Sequence, residues 1–386
     1  MAIDAPAPPN ATQKPLAPAL SASTGVEATV AGETRVIFGG CNYLGLAHHP
    51  RVIEALREAA GIYGISTGAS RTTTGNTLAH EQLEERLARF FSAARPGHTV
   101  ACTIDGLTAN MAAFEALAER RTEAVIDERA HRSLVVAARA AGLQVNLYRH
   151  LDVGHAVELA ERDPAGTVIA TDTVFASTGH IADLASLVRS APNDVGFLFD
   201  ECHGVGVIGD GGRGVAIALG VTDDRVVITS TLAKAIGAHG GFVLATSDCI
   251  RRIRSTATAF VGTTPVSPAL AAAATEAIDI IDQEPDRVRR LQDRASRLTA
   301  GVALYADARV PAGFAWHTPI AAVAFAPDDA MTRVRMRLTE RGLSVPLVSY
   351  PGGPAPSYFR LSVTSEHTAE QVDQAIACFA EEADDR

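Results

Sequence analysis

The sequence predicts an α/β protein with a large domain built on a mainly parallel sheet and a smaller C-terminal α+β domain. Two patterns along its 386 residues support this prediction. From residue 51 onward, short apolar runs alternate with amphipathic helical stretches, as in βαβ units whose sheet is covered on both faces. After Pro268 this alternation gives way to a long helical stretch, followed by strand-like and helix-like segments in turn.

The individual elements follow from the spacing of apolar residues. Helices are predicted where apolar residues recur every three or four positions, most clearly in 78–91, where Leu83, Leu87 and Phe90 share a face. Strands are predicted at short apolar runs bounded by turn residues. The predicted helices are 51–60, 78–91, 111–119, 269–305 with a break near Glu284 and Pro285, 328–341 and 368–382. The predicted strands are 99–104, 123–126, 144–148, 167–171, 196–199, 226–229, 320–325 and 358–364.

These elements divide the chain into three parts. Residues 1–45 are expected to form an N-terminal arm with a mobile first part, because 5–24 are rich in Ala, Pro and Ser. That stretch lacks the basic start and long apolar core of a signal peptide. Residues 46–275 are predicted to form the large domain, and 276–386 the small domain with its linking helix. No apolar run approaches the roughly 18 residues of a membrane-spanning helix, so no membrane span is expected.

Composition narrows the class of function. The net charge of −10 argues against broad binding to nucleic acid or to an anionic membrane. Hydrophobic residues make up 47% and charged residues 20%, as is ordinary for a globular enzyme. The cysteines have no metal-ligand spacing, so no metal site is predicted and reduced cytoplasmic thiols are expected. These cysteines are Cys41, Cys102, Cys202, Cys249 and Cys378.

The use of lysine is unusual. Lys14 and Lys234 are the only lysines among 34 Lys and Arg residues, and Lys234 lies in the run Ser-Thr-Leu-Ala-Lys-Ala-Ile-Gly. Arginine cannot lose its proton and form an imine, whereas a desolvated lysine can. Lys234 is therefore a candidate Schiff-base lysine. Chance survival in an arginine-rich composition explains this one observation equally well.

A second candidate site follows the predicted strand 196–199. Asp200 and His203 come directly after it, and ligands of open α/β sheets bind at the carboxyl ends of strands. The alternative is that these side chains only cap a helix. The next residues, Gly-Val-Gly-Val-Ile-Gly at 204–209, match a dinucleotide fingerprint. We reject that interpretation, because the loop leads into helix-breaking glycines and because the preceding acids, Asp200 and Glu201, would repel a pyrophosphate.

A phosphate turn is the third candidate. Gly106 stands between a predicted strand and a predicted helix, where free backbone N–H groups can hold a phosphate. An ordinary strand-to-helix turn fits equally well. Thr231, three residues before Lys234, could donate its hydroxyl to the same phosphate. His131 is either a structural histidine or a ring that stacks on a flat ligand, and its sequence context does not decide between them.

Together these candidates indicate one cofactor. An imine-forming lysine, a carboxylate with an imidazole at a strand end, and a phosphate turn are the groups needed to hold pyridoxal 5'-phosphate. The carboxylate would keep the pyridine nitrogen protonated, and the turn would anchor the phosphate.

At this point the chain resembles a known family, the α-oxoamine synthases of the fold-type I pyridoxal-phosphate enzymes. The likeness runs from about Asn42 to Phe379, and many ordered motifs carry it. These motifs are Asn42-Tyr43-Leu44-Gly45-Leu46, Gly68-Ala69-Ser70-Arg71 with Gly75 and His80, Asp127 with His131, Asp200-Glu201-Cys202-His203, Thr231-Leu232-Ala233-Lys234-Ala235 with Gly240-Gly241, and Arg360-Leu361-Ser362 through His367-Thr368.

The resemblance implies a role for each candidate residue. Lys234 would carry the cofactor and later move the α-proton of the substrate. Asp200 would pair with the pyridine nitrogen, His203 would bond the ring oxygen or assist acylation, and His131 would stack on the ring. The amino-acid substrate would be bound by Asn42 and by Arg360, which would clamp its carboxylate bidentately. The residues expected to hold the phosphate are Gly106, Leu107, Thr231 and, from the partner subunit of a homodimer, Thr264.

The implied activity is a decarboxylative condensation of a small amino acid with an acyl thioester, on coenzyme A or a carrier protein, in the cytoplasm. The product would be an α-aminoketone. Three alternatives are weighed against it. One is an aminotransferase or other pyridoxal-phosphate reaction on the same fold, and another is an inactive partner subunit. A nicotinamide-dependent oxidoreductase is the third, and it rests only on the glycine fingerprint at 204–209.

Several positions depart from the family pattern. Cys41 stands where the family usually has Asn, and Asp105 replaces a common Ser beside the phosphate turn. Asp172 and Ala176 stand where the family prefers Glu and Ser, and His180 lies where acidic residues are usual. The missing hydroxyl at Ala176 would remove one bond to the ring oxygen. These departures bear on the choice of substrate more than on the cofactor.

Overall fold

The computed structural model describes residues 17–306, 309–326, 328–350 and 352–384. The strands are β1 Leu20–Ser23, β2 Glu27–Val30, β3 Glu33–Ile37, β4 His98–Thr103, β5 Glu123–Asp127, β6 Gln144–Tyr148, β7 Thr167–Asp172, β8 Gly196–Asp200, β9 Val226–Thr231, β10 Gly241–Thr246, β11 Ile320–Val323, β12 Leu343–Ser344, β13 Leu347–Val348 and β14 Tyr358–Ser362. The helices are α1 Pro50–Tyr63, α2 Leu78–Phe91, α3 Gly106–Ala118, α4 Arg132–Ala140, α5 Val153–Ala160, α6 Leu184–Ser190, α7 Val215–Ala218, α8 Ser247–Thr256, α9 Thr258–Val261, α10 Pro268–Gln283, α11 Pro285–Gly301, α12 Asp328–Glu340 and α13 Ala369–Asp384.

A seven-stranded sheet forms the centre of the molecule, in the order β4-β10-β9-β8-β7-β5-β6. Strands β9, β8, β7, β5 and β6 run parallel, so their carboxyl ends meet at one edge. Only β10 is antiparallel to its neighbours β4 and β9. Every residue of β7, β8 and β9 is buried, which explains why these strands read as continuous apolar runs rather than alternating ones. The predicted mainly parallel sheet is confirmed.

Helix α3 lies close against this sheet and brings its first residues to the ligand-binding edge. It packs on β9 and β10 through a face of small residues. Ala109, Ala112 and Ala113 are fully buried, and their short side chains let the helix approach the strands closely. The start of α3 is thereby held at the carboxyl edge of β8 and β9.

Two small sheets accompany the central one. Their strand orders are β1-β2-β3-β12 and β11-β14-β13. Strand β12 pairs in parallel with β3 and so joins the N-terminal part of the chain to the C-terminal part. The three N-terminal strands were not expected from the sequence, and the first part of the predicted mobile arm lies outside the described residues. The domain boundaries remain predictions, and the one at 275/276 falls inside α10.

Most predicted elements have counterparts near their expected positions. The bounds of α2 and β6 agree with the predicted 78–91 and 144–148. The break expected in 269–305 lies at Glu284, and Pro285 begins α11, where a proline needs no hydrogen-bond donor. Within the described ranges, no helix is long and apolar enough to cross a membrane.

A buried carboxyl group organises the glycine-rich loop after β8. Glu201 is 1% exposed, and its side chain accepts hydrogen bonds from the Ala216 N–H at 2.7 Å and the Thr173 hydroxyl at 2.8 Å. The loop passes so close that a Cβ at Gly204 would lie 1.8 Å from a Glu201 oxygen. The next α-helix, α7, begins only at Val215, so the fingerprint at 204–209 does not open a helix. The rejection of a dinucleotide loop agrees with this geometry.

Glu201 should make stability depend on pH. Burial raises the pKa of Glu201 from 4.5 to about 7, more than its hydrogen bonds lower it. A folded-state pKa above the unfolded one means that the contribution of Glu201 to stability is fully present below pH 4.5 and is lost as the pH rises to about 7. We expect the free energy of unfolding to fall over this window by on the order of 3 kcal/mol more in the native protein than in Glu201→Gln.

Urea unfolding at a series of pH values measures this difference. The exposed Glu158→Gln is the matched control, and its curve should follow that of the native protein. Parallel curves for the native protein and Glu201→Gln would contradict the expectation.

Candidate active site

A cavity of about 240 Å³ opens at the carboxyl edge of the central sheet. It lies where β7, β8 and β9 end and where α3 and α4 begin, the usual position of ligands in such sheets. Most of the candidate residues from the sequence meet here. The lining residues are Asp105, Gly106, Leu107, His131, Ser133, Asp172, Val174, Asp200, Cys202, His203, Thr231 and Lys234.

Asp200 ends β8 at the floor of this cavity and has a donor for each oxygen. The Asn110 amide donates to Oδ2 at 2.9 Å, and the Cys202 backbone N–H donates to Oδ1 at 2.9 Å. Asn110 is itself held by the Thr229 hydroxyl at 2.5 Å. Two donors stabilise an ionised carboxylate, which is the form needed to face a cationic ring nitrogen. Asn110 was not predicted, although it lies four residues after Gly106 of the predicted phosphate turn.

Lys234 lies three residues after Thr231, the last residue of β9, and both line the cavity. Burial lowers the pKa of its ammonium group, but the nearby Cys202 and Asp200 raise it more, so the pKa lies above its usual value. Desolvation alone, the basis of the prediction from the sequence, would make the Lys234 ammonium group lose its proton more easily. Acidic neighbours outweigh that effect, and the free side chain is an ammonium ion.

His203 is buried, and its Nδ1 forms a hydrogen bond with the Tyr43 hydroxyl over 2.8 Å. Burial, together with the charges of Lys234 and Arg360, holds the pKa of His203 well below its usual value, so the imidazole is neutral. The charge of Arg360 acts on both groups of this pair and lowers the pKa of each. Either atom of the pair can be the donor, depending on the tautomer of the imidazole.

His131 forms the side of the cavity. It caps the N-terminus of α4, its Nδ1 lies 2.7 Å from the Ser133 hydroxyl, and its backbone N–H donates to Asp172 Oδ2 at 2.9 Å. Burial lowers the pKa of His131, so the ring is neutral as well. The ring lies nearly parallel to that of Tyr350, at 23° and 6.3 Å between centroids. These contacts fix its plane, as a ring that stacks on a flat ligand requires.

The start of α3 provides the anion-binding side. The N–H groups of Gly106 and Leu107 belong to the first turn, where a helix offers donors without carbonyl partners. A Cβ at Gly106 would lie 3.0 Å from Cys202 Sγ, so this position favours glycine. Asp105 caps the helix by accepting from Thr108 at 2.7 Å and 2.8 Å. The Thr231 hydroxyl bonds the Gly240 carbonyl at 3.0 Å.

Three predicted residues lie outside the cavity lining. Arg360, on β14, donates from Nε to the Ala176 carbonyl at 2.6 Å, and its charge acts on the nearby Tyr43 and His203. Asn42 accepts from the Ala47 N–H at 3.2 Å, and its buried Nδ2 has no hydrogen-bond partner among the described residues, so its substrate role remains a prediction. Thr264 is exposed on the surface of its own chain. Its predicted role in the partner's site remains a prediction.

These groups fit pyridoxal phosphate. The cavity combines an amine, a carboxylate with both oxygens bonded, two neutral imidazoles and the start of a helix. In the resemblance-based assignment, Lys234 would carry the cofactor, Asp200 would face its nitrogen and the start of α3 would face its phosphate. Asp105 fits as well, because its Oδ1 is engaged by Thr108 rather than left free toward the phosphate side.

Comparison with known proteins agrees with this chemistry. A family model for aminotransferase class I and II proteins matches residues 35–379. The chain is 35% identical over 351 residues to an 8-amino-7-oxononanoate synthase of Cupriavidus pinatubonensis, covering 88% of this chain and 85% of that one. A relative of the same name from Stutzerimonas stutzeri is 33% identical over 367 residues, covering 94% of this chain and 92% of that one.

Solved structures of similar fold point the same way. A serine palmitoyltransferase of Sphingomonas wittichii superimposes with a TM-score of 0.83 at 26% identity, covering 94% of this chain and 90% of that one. A high-resolution structure of SPT with its PLP internal aldimine superimposes with a TM-score of 0.84 at 25% identity, covering 95% of this chain and 92% of that one. The chain therefore belongs to the α-oxoamine synthase family and is a pyridoxal phosphate-dependent enzyme of fold type I.

Proposed function

We propose that the protein condenses a small amino acid with an acyl thioester, on coenzyme A or a carrier protein, and releases carbon dioxide and an α-aminoketone. The reaction would resemble that of 8-amino-7-oxononanoate synthase, the name of its relatives. The observation that carries the proposal is that Lys234 lines one cavity together with Asp200, each of whose carboxyl oxygens accepts a hydrogen bond. An inactive subunit has no need of either group.

Each residue has a task in this reaction. Bound pyridoxal phosphate would supply an electron sink for the α-carbon of the amino acid. Lys234 would hold the cofactor and then move the α-proton, while Asp200 would maintain positive charge at the ring nitrogen. His203 would hydrogen-bond the ring oxygen or assist acylation. Arg360 would hold the amino-acid carboxylate, and Asn42 would contact the amino acid beside it.

We also infer that the site is completed by a second copy of the chain. The segment that carries Thr264 is connected to residues 61–80 by hydrogen bonds from Ser70 to the Val261 carbonyl, 2.8 Å, and from His80 to the Val266 carbonyl, 2.8 Å. This surface exposes Ile62 by 74%, Ile65 by 82% and Leu78 by 63%. Large apolar side chains grouped in this way are typical of an interface. In a homodimer, Thr264 of the partner subunit would reach the phosphate.

The proposed location is the cytoplasm. All five cysteines are free, and Cys102, Cys249 and Cys378 are buried. Free thiols of this number suit a reducing compartment.

The central prediction concerns Lys234. Lys234→Ala should prevent trapping of the cofactor by borohydride and lower thioester-dependent thiol release roughly a thousandfold or more, because both covalent attachment and proton transfer are lost. Thiol release is measured across a grid of small amino acids and acyl-coenzyme A chain lengths. Lys14→Ala, which changes the other lysine, is the control and should behave as the native protein does.

Thiol release that needs both substrates would establish the proposed reaction. An aminotransferase would instead form a keto acid without consuming thioester. Normal turnover by Lys234→Ala would refute the assignment of this lysine.

Arg360 should determine the affinity for the amino acid. Arg360→Ala removes a charge-assisted pair with the carboxylate, worth about 1.5–3 kcal/mol, so KM for the amino acid should rise roughly 10- to 100-fold while the cofactor stays bound. Arg360→Lys should recover only part of the loss, because an ammonium group cannot pair bidentately. Arg297→Ala, the control, removes an exposed arginine that pairs with Asp373 and should change neither KM for the amino acid nor cofactor binding. An unchanged KM in Arg360→Ala would exclude the clamp.

The second copy can be tested independently of turnover. Ile62→Asp with Ile65→Asp should convert a dimer to a monomer in sedimentation and weaken cofactor binding roughly tenfold, through loss of the partner's Thr264. Thr264→Ala should weaken cofactor binding similarly but remain dimeric. Leu304→Asp, at a residue 89% exposed elsewhere, is the control. A native protein that sediments as a monomer would contradict the shared site.

A further inference from the structure

Asp172 is a second carboxyl group in the cavity, and no role has yet been assigned to it. It ends β7 and pairs in register with Asp200 at the end of the parallel strand β8. Residues paired in register on neighbouring strands point to the same face, with the strands about 4.8 Å apart. Asp172 is 4% exposed and lines the cavity together with Lys234.

The two aspartates differ in their hydrogen bonds. Both oxygens of Asp200 have donors, from Asn110 and from the Cys202 N–H. Asp172 accepts from the His131 N–H at Oδ2, 2.9 Å away, but its buried Oδ1 has no partner among the described residues. A buried polar oxygen without a partner costs about 1–3 kcal/mol, so its presence beside a ligand cavity indicates that a ligand completes it.

The charges around Asp172 disfavour its ionised form. Burial and the neighbouring Asp200 raise the pKa of Asp172 well above its usual value, and Asp127 on β5 adds to this, while Lys234 and the His131 N–H oppose it. Tyr350 also faces this group. Asp172 has one hydrogen-bond donor whereas the adjacent Asp200 has two, so the ionised form of Asp172 is the less stabilised by hydrogen bonds. Asp172 is accordingly the neutral member and carries an O–H.

We propose that Asp172 binds pyridoxal phosphate as a neutral carboxylic acid, donating a hydrogen bond from Oδ1 to the ring oxygen of the cofactor.

The order of strands identifies this acceptor. In pyridoxal phosphate the ring nitrogen lies opposite the carbon that bears the aldehyde, and the ring oxygen and phosphate arm flank that carbon on opposite sides. Lys234 would occupy the aldehyde position and Asp200 the nitrogen, so the axis between them runs over β8 and β9. The phosphate turn at Gly106 follows β4 on one side of these strands, and β7 lies on the other. The ring oxygen therefore faces the strand that carries Asp172.

This hydrogen bond would stabilise negative charge on the ring oxygen. Charge on that oxygen is greatest when the nitrogen of the Lys234 attachment has lost its proton. Removal of a donor should therefore raise the pH at which the visible absorbance of the bound cofactor changes. The inference needs only bound cofactor and not the proposed acyl transfer, so the two can fail separately.

The test is a pH titration of cofactor absorbance in two variants of the loaded protein. Asp172→Ala removes the donor and should raise the midpoint by about one pH unit, a tenfold change in proton affinity. Asp172→Asn keeps both the shape and an N–H donor, and its midpoint should stay close to the native value. An Asp172→Asn midpoint that shifts as far as that of Asp172→Ala would show a carboxylate role and overturn the proposal.

A measurement on the native protein covers the case in which Asp172→Ala does not fold. Infrared difference spectra between the loaded native protein and Asp172→Asn should contain the carbonyl band of a protonated carboxyl group near neutral pH. Absence of that band, or an unchanged midpoint in a folded Asp172→Ala, would overturn the inference.

Discussion

The hydrogen bonds to Asp200 are the interaction on which the site depends. Asn110 and the Cys202 N–H both donate to it and hold its carboxyl group at the end of β8. From that position Asp200 adds to the effect of Cys202 in raising the pKa of Lys234, and to the effect of burial in raising the pKa of Asp172. The placement of one carboxyl group therefore influences the charges of its neighbours in the cavity.

The aromatic residue Tyr43 connects segments that are far apart in sequence. Its hydroxyl lies 2.8 Å from Nδ1 of His203, which follows β8, and the charge of Arg360 on β14 acts on it. Burial raises the pKa of Tyr43 well above its usual value, so the phenol keeps its proton. Tyr43 thus connects Arg360, the expected contact for the amino-acid carboxylate, with His203, the residue expected to contact the cofactor.

The sequence was sufficient for the elements whose signal is local. Apolar periodicity predicted α2, and the isolated lysine and the acid after a buried strand predicted Lys234 and Asp200 as members of one site. Both line the same cavity, although their roles remain to be tested. Strand β10 was not among the predicted strands. Its apolar run after two glycines also does not show in which direction the strand pairs, because that direction depends on its neighbours β4 and β9.

Contacts between elements could not be predicted in this way. Asn110 reaches Asp200 only because α3 packs closely on β9 and β10, and the state of Asp172 depends on its register with β8. The neighbours Cys41 and Asn42 show the same limit at shorter range. The turn in which the Tyr43 N–H bonds the Cys41 carbonyl decides which of the two side chains lies near Arg360.

The parallel pairing of β3 with β12 has a consequence for biosynthesis. The Phe38 N–H bonds the Ser344 carbonyl, and the Phe38 carbonyl accepts from the Ser362 N–H. The Phe38 ring is fully buried in a cluster with Phe359 and Leu361. A ribosome delivers Phe38 more than 300 residues before these partners. The small C-terminal unit therefore cannot be completed until residues 343–362 have been synthesised, and until then β3 has one unpaired edge and Phe38 is uncovered.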